Sequence, residues 1–246
     1  MATKERDEKL LEYLRLHGEA TIDELSAAMF VSHPTMRRSL ARLAAEGRLI
    51  RTYGGAALRG ATGENLPQEI REREHSAAKA AIARRALSLV RDGDTVMVDG
   101  SSTAMALLPL LTSRKSVAVI TNSAKAPLLL GDSGVRLFVT GGELAPHTYA
   151  YVGSYAEDFL RSFHADVCFF SVRTLTEDGA LTDNAIAENA VRRVMLSHAR
   201  RAVLMLDAEK IGAPCLNTLC TLDAITHVVS ERDISARFPA YSEKFL

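Results

Sequence analysis

The sequence predicts an α/β protein with an N-terminal winged helix-turn-helix and a C-terminal doubly wound, mainly parallel α/β domain. Helical spacing of apolar residues, a tight turn and a short β-wing over residues 21–55 predict the first domain. From residue 94 onward, short β-branched runs alternate with helical stretches, which is typical of parallel strands joined by helices. A chain of 246 residues is long enough to bury a core in each domain.

The first two helices are predicted from apolar spacing and from their ends. An amphipathic helix over residues 5–17 ends at Gly18, and Thr21 with Glu24 fits a capping box at the start of the next helix. The inward-facing residues of these two helices are Leu10, Leu11, Leu14, Ile22, Leu25 and Met29. They are expected to form a three-helix core with the helix that follows.

The third helix has one apolar side and one arginine-rich side. Ser32 is placed to cap it, Pro34 is tolerated in its first turn, and Gly47 is placed to end it in a left-handed conformation. The inward face carries Met36, Leu40 and Leu43. At about 100° per residue, the opposite face and its flanks carry Pro34, Thr35, Arg37, Arg38, Ala41, Arg42 and Ala45.

A helix of this kind fits the major groove of DNA, where its first residues contact base edges and its arginines reach guanines or phosphates. The segments at Leu49–Ile50 and after Gly55 are expected as strands of the wing, with two arginines along the phosphates. The predicted DNA-binding residues are Ser32, His33, Pro34, Thr35, Arg37, Arg38, Arg42, Arg48 and Arg51. The alternative is an ordinary amphipathic helical hairpin with solvated arginines.

The charge distribution favours the DNA-binding interpretation. The net charge of the whole chain is zero, but residues 33–60 contain six arginines and one acidic residue, a local charge of +5. A basic patch confined to one module is expected of a regulator whose remaining surface has another role. Tyr53 is expected to pack on the wing, and the alternative is that it stacks near a sugar of the DNA.

The segment VSHPTMRRSLARLAAEGRLIRTYGGA resembles the N-terminal winged-helix signature of the DeoR family of bacterial transcription regulators. The shared features are the VS start, Thr35, Arg37–Arg38, the leucine pair, Gly47, Leu49, Arg51 and Gly54–Gly55–Ala56. Ser39 departs from the family, which usually has an acidic residue there. The operator sequence is therefore not transferred from the family to this chain.

Composition argues against several other classes of protein. No apolar run is long enough to cross a bilayer, and the start MATKERDEK lacks the core of a signal peptide, so a cytoplasmic location without a membrane partner is expected. No histidines pair at HxH or HExxH spacing, so no metal or other cofactor is expected. The cysteines lack metal-binding spacing and are expected to be reduced; they are Cys168, Cys215 and Cys220.

A linker is predicted between the domains. Residues 57–68 contain two glycines, an asparagine and a proline, and one long helix is expected from about Glu69 to Val90. This helix suits a connection between domains or a dimer contact. The predicted parts are residues 1–57 for the winged helix-turn-helix, 58–74 for the linker and start of the connecting helix, 75–232 for the α/β domain and 233–246 for a C-terminal tail.

The second domain is predicted as alternating strands and helices. The strands are expected at residues 95–99, 116–120, 135–140, 165–172, 201–207 and 224–230. The helices are expected at residues 101–111, 122–130, 152–162 and 184–197.

Polar residues follow several of these strands, and ligands collect at the carboxyl ends of the strands in such a sheet. Asp99–Gly100–Ser101–Ser102–Thr103 ends one strand and begins a helix, which offers amides, hydroxyls and the helix dipole to an anion. Thr121–Asn122–Ser123, Gly141–Gly142 and Lys210 follow other strands. Each alone also fits a helix cap or a surface lysine, but together they predict a phosphate-bearing ligand. No GxG or GxxxxGK[ST] pattern occurs, which argues against ATP or NAD.

The segments VDGSST, ITNS, VTGGEL and DAEKIG resemble the C-terminal sensor domain of the DeoR family, related in fold to ribose-5-phosphate isomerases and the CoA-transferase group. The resemblance implies a phosphorylated sugar as effector, with Asp99 binding sugar hydroxyls. The other implied contacts are Ser101, Ser102, Thr103, Thr121, Asn122, Gly141, Gly142, Glu188 and Lys210. Residues 171–179 lack the glycine that usually follows the strand, so Arg173 is expected to enter the pocket, and Arg192 stands near where a lysine is common.

Catalysis by the same domain is the alternative function. Aldose–ketose isomerisation needs a carboxylate base and a cation for the enediolate oxygen, and Asp99, Asp166, Glu188 and Lys210 are such groups. An enzyme has no need of a helix-turn-helix, so the sequence predicts a transcription regulator and not an enzyme. It is expected to repress a carbohydrate-use operon as a homodimer or higher oligomer on double-stranded operator DNA, and to be released by a phosphorylated sugar.

Overall fold

A computed structural model of the chain describes residues 3–17, 19–52, 54–58, 68–145 and 147–246. The chain divides into two compact units, Met1–Ile70 and Arg71–Leu246, and each has its own hydrophobic core. Gly18, Tyr53, Arg59 and most of the predicted linker lie outside the described residues.

The first unit is a three-helix core with a small antiparallel sheet, as the sequence predicts. Its helices are α1 Thr3–His17, α2 Ile22–Met29 and α3 His33–Ala45. Its strands are β1 Glu19–Thr21, β2 Leu49–Thr52 and β3 Gly55–Leu58, in the order β1-β3-β2. Strand β1 is not predicted, because a three-residue segment beside a helix cap carries no alternation to detect.

The ends of α2 and α3 confirm most of the predicted capping. Thr21 Oγ1 accepts from Glu24 N at 3.2 Å, and Glu24 Oε2 accepts from Thr21 N at 2.8 Å, so the capping box is present. Gly47 has a φ of 71° and follows α3 in the left-handed region. Ser32 occupies the N-cap position but makes no cap hydrogen bond, because its hydroxyl lies 3.0 Å from Thr35 Oγ1 instead.

The second unit is built on a six-stranded sheet whose strand pairs are all parallel, which confirms the doubly wound prediction. In spatial order the strands are β14 His227–Val229, β12 Ala202–Met205, β9 Val167–Phe170, β4 Thr95–Val98, β5 Ala118–Thr121 and β6 Arg136–Val139. In β4, Val96 and Val98 pack into one core and Met97 into another. Both faces of the sheet are therefore covered, as parallel sheets require.

Helices cover the two faces of this sheet. They are α5 Ser76–Leu87, α6 Ser102–Met105, α7 Leu108–Leu111, α8 Ala126–Leu130, α9 Ser154–Arg161 and α10 Ile186–Ser197. Helix α4, Gln68–Arg73, precedes α5 along the chain. Residues of α5 to α8 pack with Val96 and Val98, whereas residues of α9 and α10 pack with Met97.

Three of the predicted helices are wrong in extent. The helix expected over residues 122–130 begins only at Ala126. The single helix expected from Glu69 to Val90 is broken into α4 and α5 at His75, which has a left-handed φ of 52°. The helix expected over residues 101–111 is divided into α6 and α7, because Pro109 lacks an amide hydrogen and its ring excludes the carbonyl four residues earlier.

Two small antiparallel elements are not predicted from the sequence. One is the hairpin of β7 Glu143–Ala145 and β8 Ala150–Val152, and the other is a three-stranded sheet of β10 Thr174–Leu175, β11 Ala180–Asp183 and β13 Asn217–Thr221. Their strands are two to five residues long and come from segments far apart in the chain. Short pairings of this kind depend on contacts that periodicity does not reveal.

The last residues of the chain, 233–246, pack against the second unit. Phe238 is 3% exposed, and its ring stacks on Phe245 with the centroids 5.4 Å apart. Leu246 N donates to Val228 O at 3.0 Å, which joins this segment to β14. The part expected as a tail therefore belongs to the core of the second unit.

Helices able to span a membrane and clusters able to hold a metal ion are absent from the described residues. Among these residues no helix has both the length and the apolar character needed to span a bilayer. In the same part of the chain, no three His, Cys, Asp or Glu side chains cluster in a way that could hold a metal ion. The three cysteines are free thiols.

Candidate nucleic-acid interface and ligand site

Helix α3 presents its arginine-rich side to solvent, as its periodicity predicts. The exposed residues on the outward face are Pro34, Arg38, Ala41 and Ala45. The residues fully buried on the inward face are Met36, Leu40 and Leu43. The first unit therefore exposes a helix of the form that enters a major groove.

The arginines of α3 differ in whether an acidic side chain already pairs with them. Arg42 Nη2 donates to Asp7 Oδ2 of α1 at 2.5 Å, and Arg42 also reaches Glu46 Oε1 at 3.4 Å. Asp7 is 3% exposed, so this pair holds α3 against α1. Arg37 and Arg38 are exposed and, within the part of the chain that the structure describes, form no ion pair. Their charge is the more available to DNA.

The remaining predicted DNA contacts lie at the start of α3 and on the wing. His33 Nε2 is 3.2 Å from Asp23 Oδ1, and Arg48 Nη1 is 4.0 Å from Glu46 Oε2. Arg51 is exposed on β2. Arg51 is thus the wing residue best placed to contact a phosphate along the duplex.

The topological switch point of the parallel sheet lies between β4 and β9, and ligands bind at such points. Three chain segments meet there. Lys210, in the 3₁₀ turn after β12, donates through Nζ to Ser171 Oγ at 3.0 Å and to Val172 O at 3.1 Å, both just after β9. The same ammonium lies 3.4 Å from Thr103 Oγ1, at the start of α6. Lys210 and the segment after β4, which the sequence offers as two separate polar clusters, therefore lie next to each other.

Lys210 keeps some exposed surface, but its ammonium group lies among Thr103, Ser171 and Val172. Burial, followed by repulsion from Lys79, lowers its pKa to about 8, although Asp207, Asp183 and Asp99 oppose the shift. It forms no ion pair with any carboxylate among the described residues. An enclosed ammonium without a counter-ion favours a bound anion.

Arg192 on α10 is the centre of a buried ion cluster that includes Asp99, the residue after β4. Its Nε donates to Asp99 Oδ2 at 2.7 Å, its Nη1 to Asp183 Oδ2 at 2.9 Å, and its Nη2 to Glu188 Oε2 at 3.1 Å. Its side chain is 5% exposed. Burial alone would lower the pKa of Arg192, but the carboxylates of Asp99, Asp183 and Glu188 outweigh it and raise that pKa.

This cluster changes the expected roles of Asp99 and Glu188. Asp99 Oδ1 accepts from Ser101 N at 3.2 Å and from Ser101 Oγ at 2.5 Å, while its Oδ2 is bound by Arg192. Glu188 is 8% exposed and is also bound to Arg192. The geometry gives both carboxylates supporting contacts within the protein.

In the segment that follows β4, Ser101 is bound within the protein, whereas Ser102 and Thr103 are at the start of α6. Ser101 caps α6, because its Oγ accepts from Ala104 N at 3.3 Å. Ser102 and Thr103 begin α6, where backbone amides have no partner within the helix. These two positions are therefore the part of the loop best able to donate to a ligand.

Asn122, which follows the neighbouring strand β5, binds the segment after β4, and Thr121 binds within its own turn. Asn122 Oδ1 accepts from Gly100 N at 2.9 Å, and its Nδ2 donates to Tyr151 O at 3.0 Å. Thr121 Oγ1 accepts from Ser123 N at 3.1 Å and is buried. Both side chains are thus engaged in holding the strand ends in place.

Gly141 and Gly142 lie after β6, two strands away from β4 in the sheet. Gly142 has a φ of 114°, and a Cβ on it would meet Val152 O at 2.8 Å, so the hairpin can approach only a glycine here. Gly142 also lines an open depression of about 900 Å³ beside Ser154 and Tyr155. None of the other predicted ligand residues lines that depression.

Sequence reasoning missed several members of the site. Ser171 contacts Lys210, Asp183 binds Arg192, and the buried Lys79 influences the pKa of Lys210. Arg173 is partly exposed after β9, near enough to Arg71 to affect its pKa. The available sequence signals were the Ser171 position after a strand and the carboxylate-rich stretch around Arg192, but neither identifies a partner.

A helix-turn-helix unit joined to an α/β unit with an anion-favouring switch point defines a ligand-responsive transcription regulator. Residues 6–61 match the DeoR-like helix-turn-helix domain, and residues 74–232 match the DeoR C-terminal sensor domain. The chain belongs to the DeoR family. It is a DNA-binding transcription regulator and not an enzyme. The alternative function, a sugar-phosphate isomerase, is therefore wrong.

The curated relatives are named as transcription regulators, and each match spans nearly all of both chains. The lactose phosphotransferase system repressor of Lactococcus lactis is 31% identical, over 100% of this chain and 96% of the relative. The transcriptional repressor GlcR of Bacillus subtilis is 30% identical over 94% and 90%. The L-fucose operon activator of Haemophilus influenzae is 28% identical over 97% and 96%.

Solved structures support the fold alone. The δ subunit of eIF2B from Chaetomium thermophilum superposes with a TM-score of 0.50 at 16% identity, over 68% of this chain and 60% of that one. Ribose 5-phosphate isomerase A from Methanocaldococcus jannaschii gives a TM-score of 0.43 at 19% identity, over 56% and 55%. The second TM-score is too low to carry any argument.

Proposed function

We propose that this regulator represses an operon for carbohydrate use and is released from its operator by a phosphorylated sugar bound at the switch point between β4 and β9. The observation that carries the proposal is the Lys210 ammonium, enclosed beside Ser171 and Thr103 without a carboxylate partner among the described residues. Several relatives are named as repressors, one of them of a lactose phosphotransferase system.

The proposed ligand contacts are narrower than the sequence alone suggests. Ser102, Thr103, Ser171, Arg173 and Lys210 would contact the ligand. The remaining predicted residues would hold these contacts in place; they are Asp99, Ser101, Thr121, Asn122, Gly141, Gly142 and Glu188.

The operator contacts that we propose first are made by the arginines of α3 that form no ion pair among the described residues. Arg37 and Arg38 would enter the major groove with Ser32, Pro34 and Thr35, and Arg51 would follow the phosphates. His33, Arg42 and Arg48 already have acidic neighbours, so their contribution would be smaller. A symmetric dimer or higher oligomer would place two such helices on half-sites about 34–36 Å apart or several turns apart.

A gel shift on DNA flanking the protein's own gene, with and without a panel of sugar phosphates, tests this function. Specific binding that one compound abolishes is the expected result. Lys210→Ala should still bind the DNA but no longer respond to that compound, whereas the exposed Lys115→Ala should respond normally. Tighter binding with the compound would make the ligand a co-repressor, and the absence of specific binding would refute the proposal.

A further inference from the structure

The turn between α2 and α3 exposes an aromatic side chain. Phe30 is 94% exposed, and among the side chains of the first unit that the structure describes it is the only large apolar one on the surface. Its neighbours along the chain, Met29 and Val31, pack in the core of that unit. The core of the first unit therefore closes without the Phe30 ring, and burial does not account for an aromatic residue at this position.

The backbone at Phe30 has a conformation that a bulky side chain rarely adopts. Its φ is 52° and its ψ is 46°, the left-handed conformation that ends α2. Backbone groups alone make the hydrogen bonds of this cap, from Phe30 N to Ala27 O at 3.3 Å and from Val31 N to Ser26 O at 3.0 Å. Glycine or asparagine is usual at such a cap, because a Cβ raises the energy of the left-handed conformation.

Glycine occupies the comparable positions in the same unit. Among its described residues, the other two with a positive φ are Gly47, after α3, and Gly54, at the turn of the wing. Phe30 thus adds backbone strain to the first unit, and its ring gains no burial there. Strained residues of this kind cluster at functional sites. The combination of strain and exposure indicates that the ring has a partner outside the chain.

Phe30 lies next to the end of α3 that is proposed to enter the major groove. Ser32 is the N-cap residue of α3, and two residues of chain span at most about 7 Å. His33 and Pro34, in the first turn of α3, are exposed. The first residues of a recognition helix are those that reach base edges. A long side chain in the turn just before them is therefore within reach of the same duplex.

We propose that Phe30 is a further operator contact, in which the phenyl ring covers apolar surface of the duplex beside the start of α3. This surface is either the methyl group of a thymine in the major groove or a deoxyribose at the edge of the groove. The proposal rests on the proposed placement of α3 in the major groove. It adds an uncharged contact to the proposed arginine contacts, and this contact neutralises no phosphate.

Operator affinity and stability should respond differently to Phe30→Asn. The probe is a duplex that the full-length wild type enriches from a pool of random sequences, so it does not depend on which genes the regulator controls. By fluorescence anisotropy, Phe30→Asn should bind this duplex at least about tenfold more weakly, since about 60 Å² of covered apolar surface suffices for such a factor. In urea it should unfold at the wild-type concentration or above, because asparagine tolerates the left-handed conformation.

The salt dependence distinguishes this contact from those of the arginines. The slope of log K against log salt should be unchanged in Phe30→Asn, since no phosphate loses a cationic partner. Phe30→Tyr, which keeps the ring, should bind nearly as the wild type does. Tyr155→Asn, which changes an exposed aromatic residue of the second unit, is the matched control and should bind as the wild type does.

Replacing the thymines of the duplex by uracil distinguishes the two apolar surfaces. If the ring covers a thymine methyl group, the wild type should lose more affinity on the uracil duplex than Phe30→Asn does. If the ring covers a deoxyribose, the two proteins should lose the same factor. Either result supports the proposal when Phe30→Asn binds the original duplex more weakly.

Three results would overturn the proposal. They are undiminished binding of the selected duplex by Phe30→Asn, a lower unfolding midpoint of this variant, which would assign Phe30 to the packing of the first unit, and a change in its mass in gel filtration, which would assign Phe30 to a contact between copies. Arg38→Ala in the same assay tests the placement of α3 separately. If both variants bind as the wild type does, the placement on which the proposal rests is refuted as well.

Discussion

Arg192 joins the end of β4, the end of β11 and the first turn of α10 beside the proposed ligand site. Its guanidinium binds Asp99 after β4, Asp183 at the end of β11 and Glu188 on its own helix. The sequence places a positively charged residue there but does not show that it neutralises two of the predicted ligand residues. A single buried side chain thus binds both carboxylates, and we therefore propose that Asp99 and Glu188 support the ligand site without contacting the ligand.

Replacing Arg192 by methionine should destabilise the second unit by about 3–5 kcal/mol, because it leaves buried carboxylates without their cation. Urea denaturation followed by circular dichroism measures the loss. Arg193→Met is the matched control: Arg193 is exposed and donates to Asn217 Oδ1 and Thr218 O, so its loss should cost less than about 1 kcal/mol. Equal losses in the two variants would contradict the central position of Arg192.

Lys210 should make stability depend on pH in a defined window. Its pKa is lowered from the ordinary 10.5 to about 8 in the folded protein, so the unfolded chain binds more protons between these values. Stability should therefore rise as the pH increases from about 8 to about 10.5, and should carry the full cost of burial below about pH 8. This contribution is at most about 3.5 kcal/mol, since one pKa unit corresponds to about 1.4 kcal/mol.

Lys210→Met should remove that pH dependence and raise the stability at pH 7. Urea denaturation at pH 7, 9 and 10 gives the slope, and Lys115→Met serves as the control because Lys115 is exposed. A slope that persists unchanged in Lys210→Met would show that another group causes it.

At the scale of elements, α3 and the wing should contribute differently to DNA binding. Arg38 is exposed on the outward face of α3, with its Nε 3.4 Å from Pro34 O. Arg38→Ala should weaken operator binding by about 1–3 kcal/mol and relax the sequence preference, because it removes a base or phosphate contact in the groove. Fluorescence anisotropy on operator and random duplexes measures both effects, and undiminished operator affinity would show that α3 is not the recognition helix.

Arg51 on β2 should affect affinity without affecting specificity. Arg51→Ala should weaken binding to operator and random DNA alike and lower the slope of log K against log salt by about one, as expected for one lost phosphate contact. Arg200→Ala, which changes an exposed arginine of the second unit, is the control. A loss confined to the operator would make Arg51 a residue that reads bases.

The broken helix between residues 68 and 87 shows why element boundaries were harder to predict than element types. The alanine-rich segment has helical propensity throughout, so its sequence predicts one helix. The break occurs at His75, whose side chain binds Asp207, 132 residues later in the chain. Local propensity cannot reveal a turn that is stabilised by so distant a partner.

At the scale of the whole molecule, the proposed DNA contacts belong to one unit and the proposed ligand contacts to the other. Any effect of one ligand on the other is then a coupling free energy, which must be reciprocal. If a sugar phosphate lowers operator affinity by some factor, saturating operator should lower the affinity for that sugar phosphate by the same factor, expected at about 5–150-fold. Anisotropy measures the first and calorimetry the second; unequal factors would contradict coupling within a single complex.

The sequence by itself determined the features that depend on neighbouring residues. The helical spacing of Leu25, Met36 and Leu40, the Thr21–Glu24 cap and the strand-helix alternation after residue 94 all predicted the correct fold class. These signals are local, because backbone periodicity and capping act within a few residues. The polar strand ends likewise located the candidate ligand site, since parallel strands bring their carboxyl ends to one edge.

The tertiary structure decided how the charges at that edge are shared. Arg192 meets Asp99 across 93 residues of sequence, and Lys210 meets Thr103 across 107. Whether a carboxylate faces a ligand or an arginine, and whether a lysine is paired or left without a counter-ion, depends on such long-range contacts and on burial. The spacing of residues in the sequence reveals neither the long-range contacts nor the burial. The electrostatics of the site therefore followed only from the folded chain.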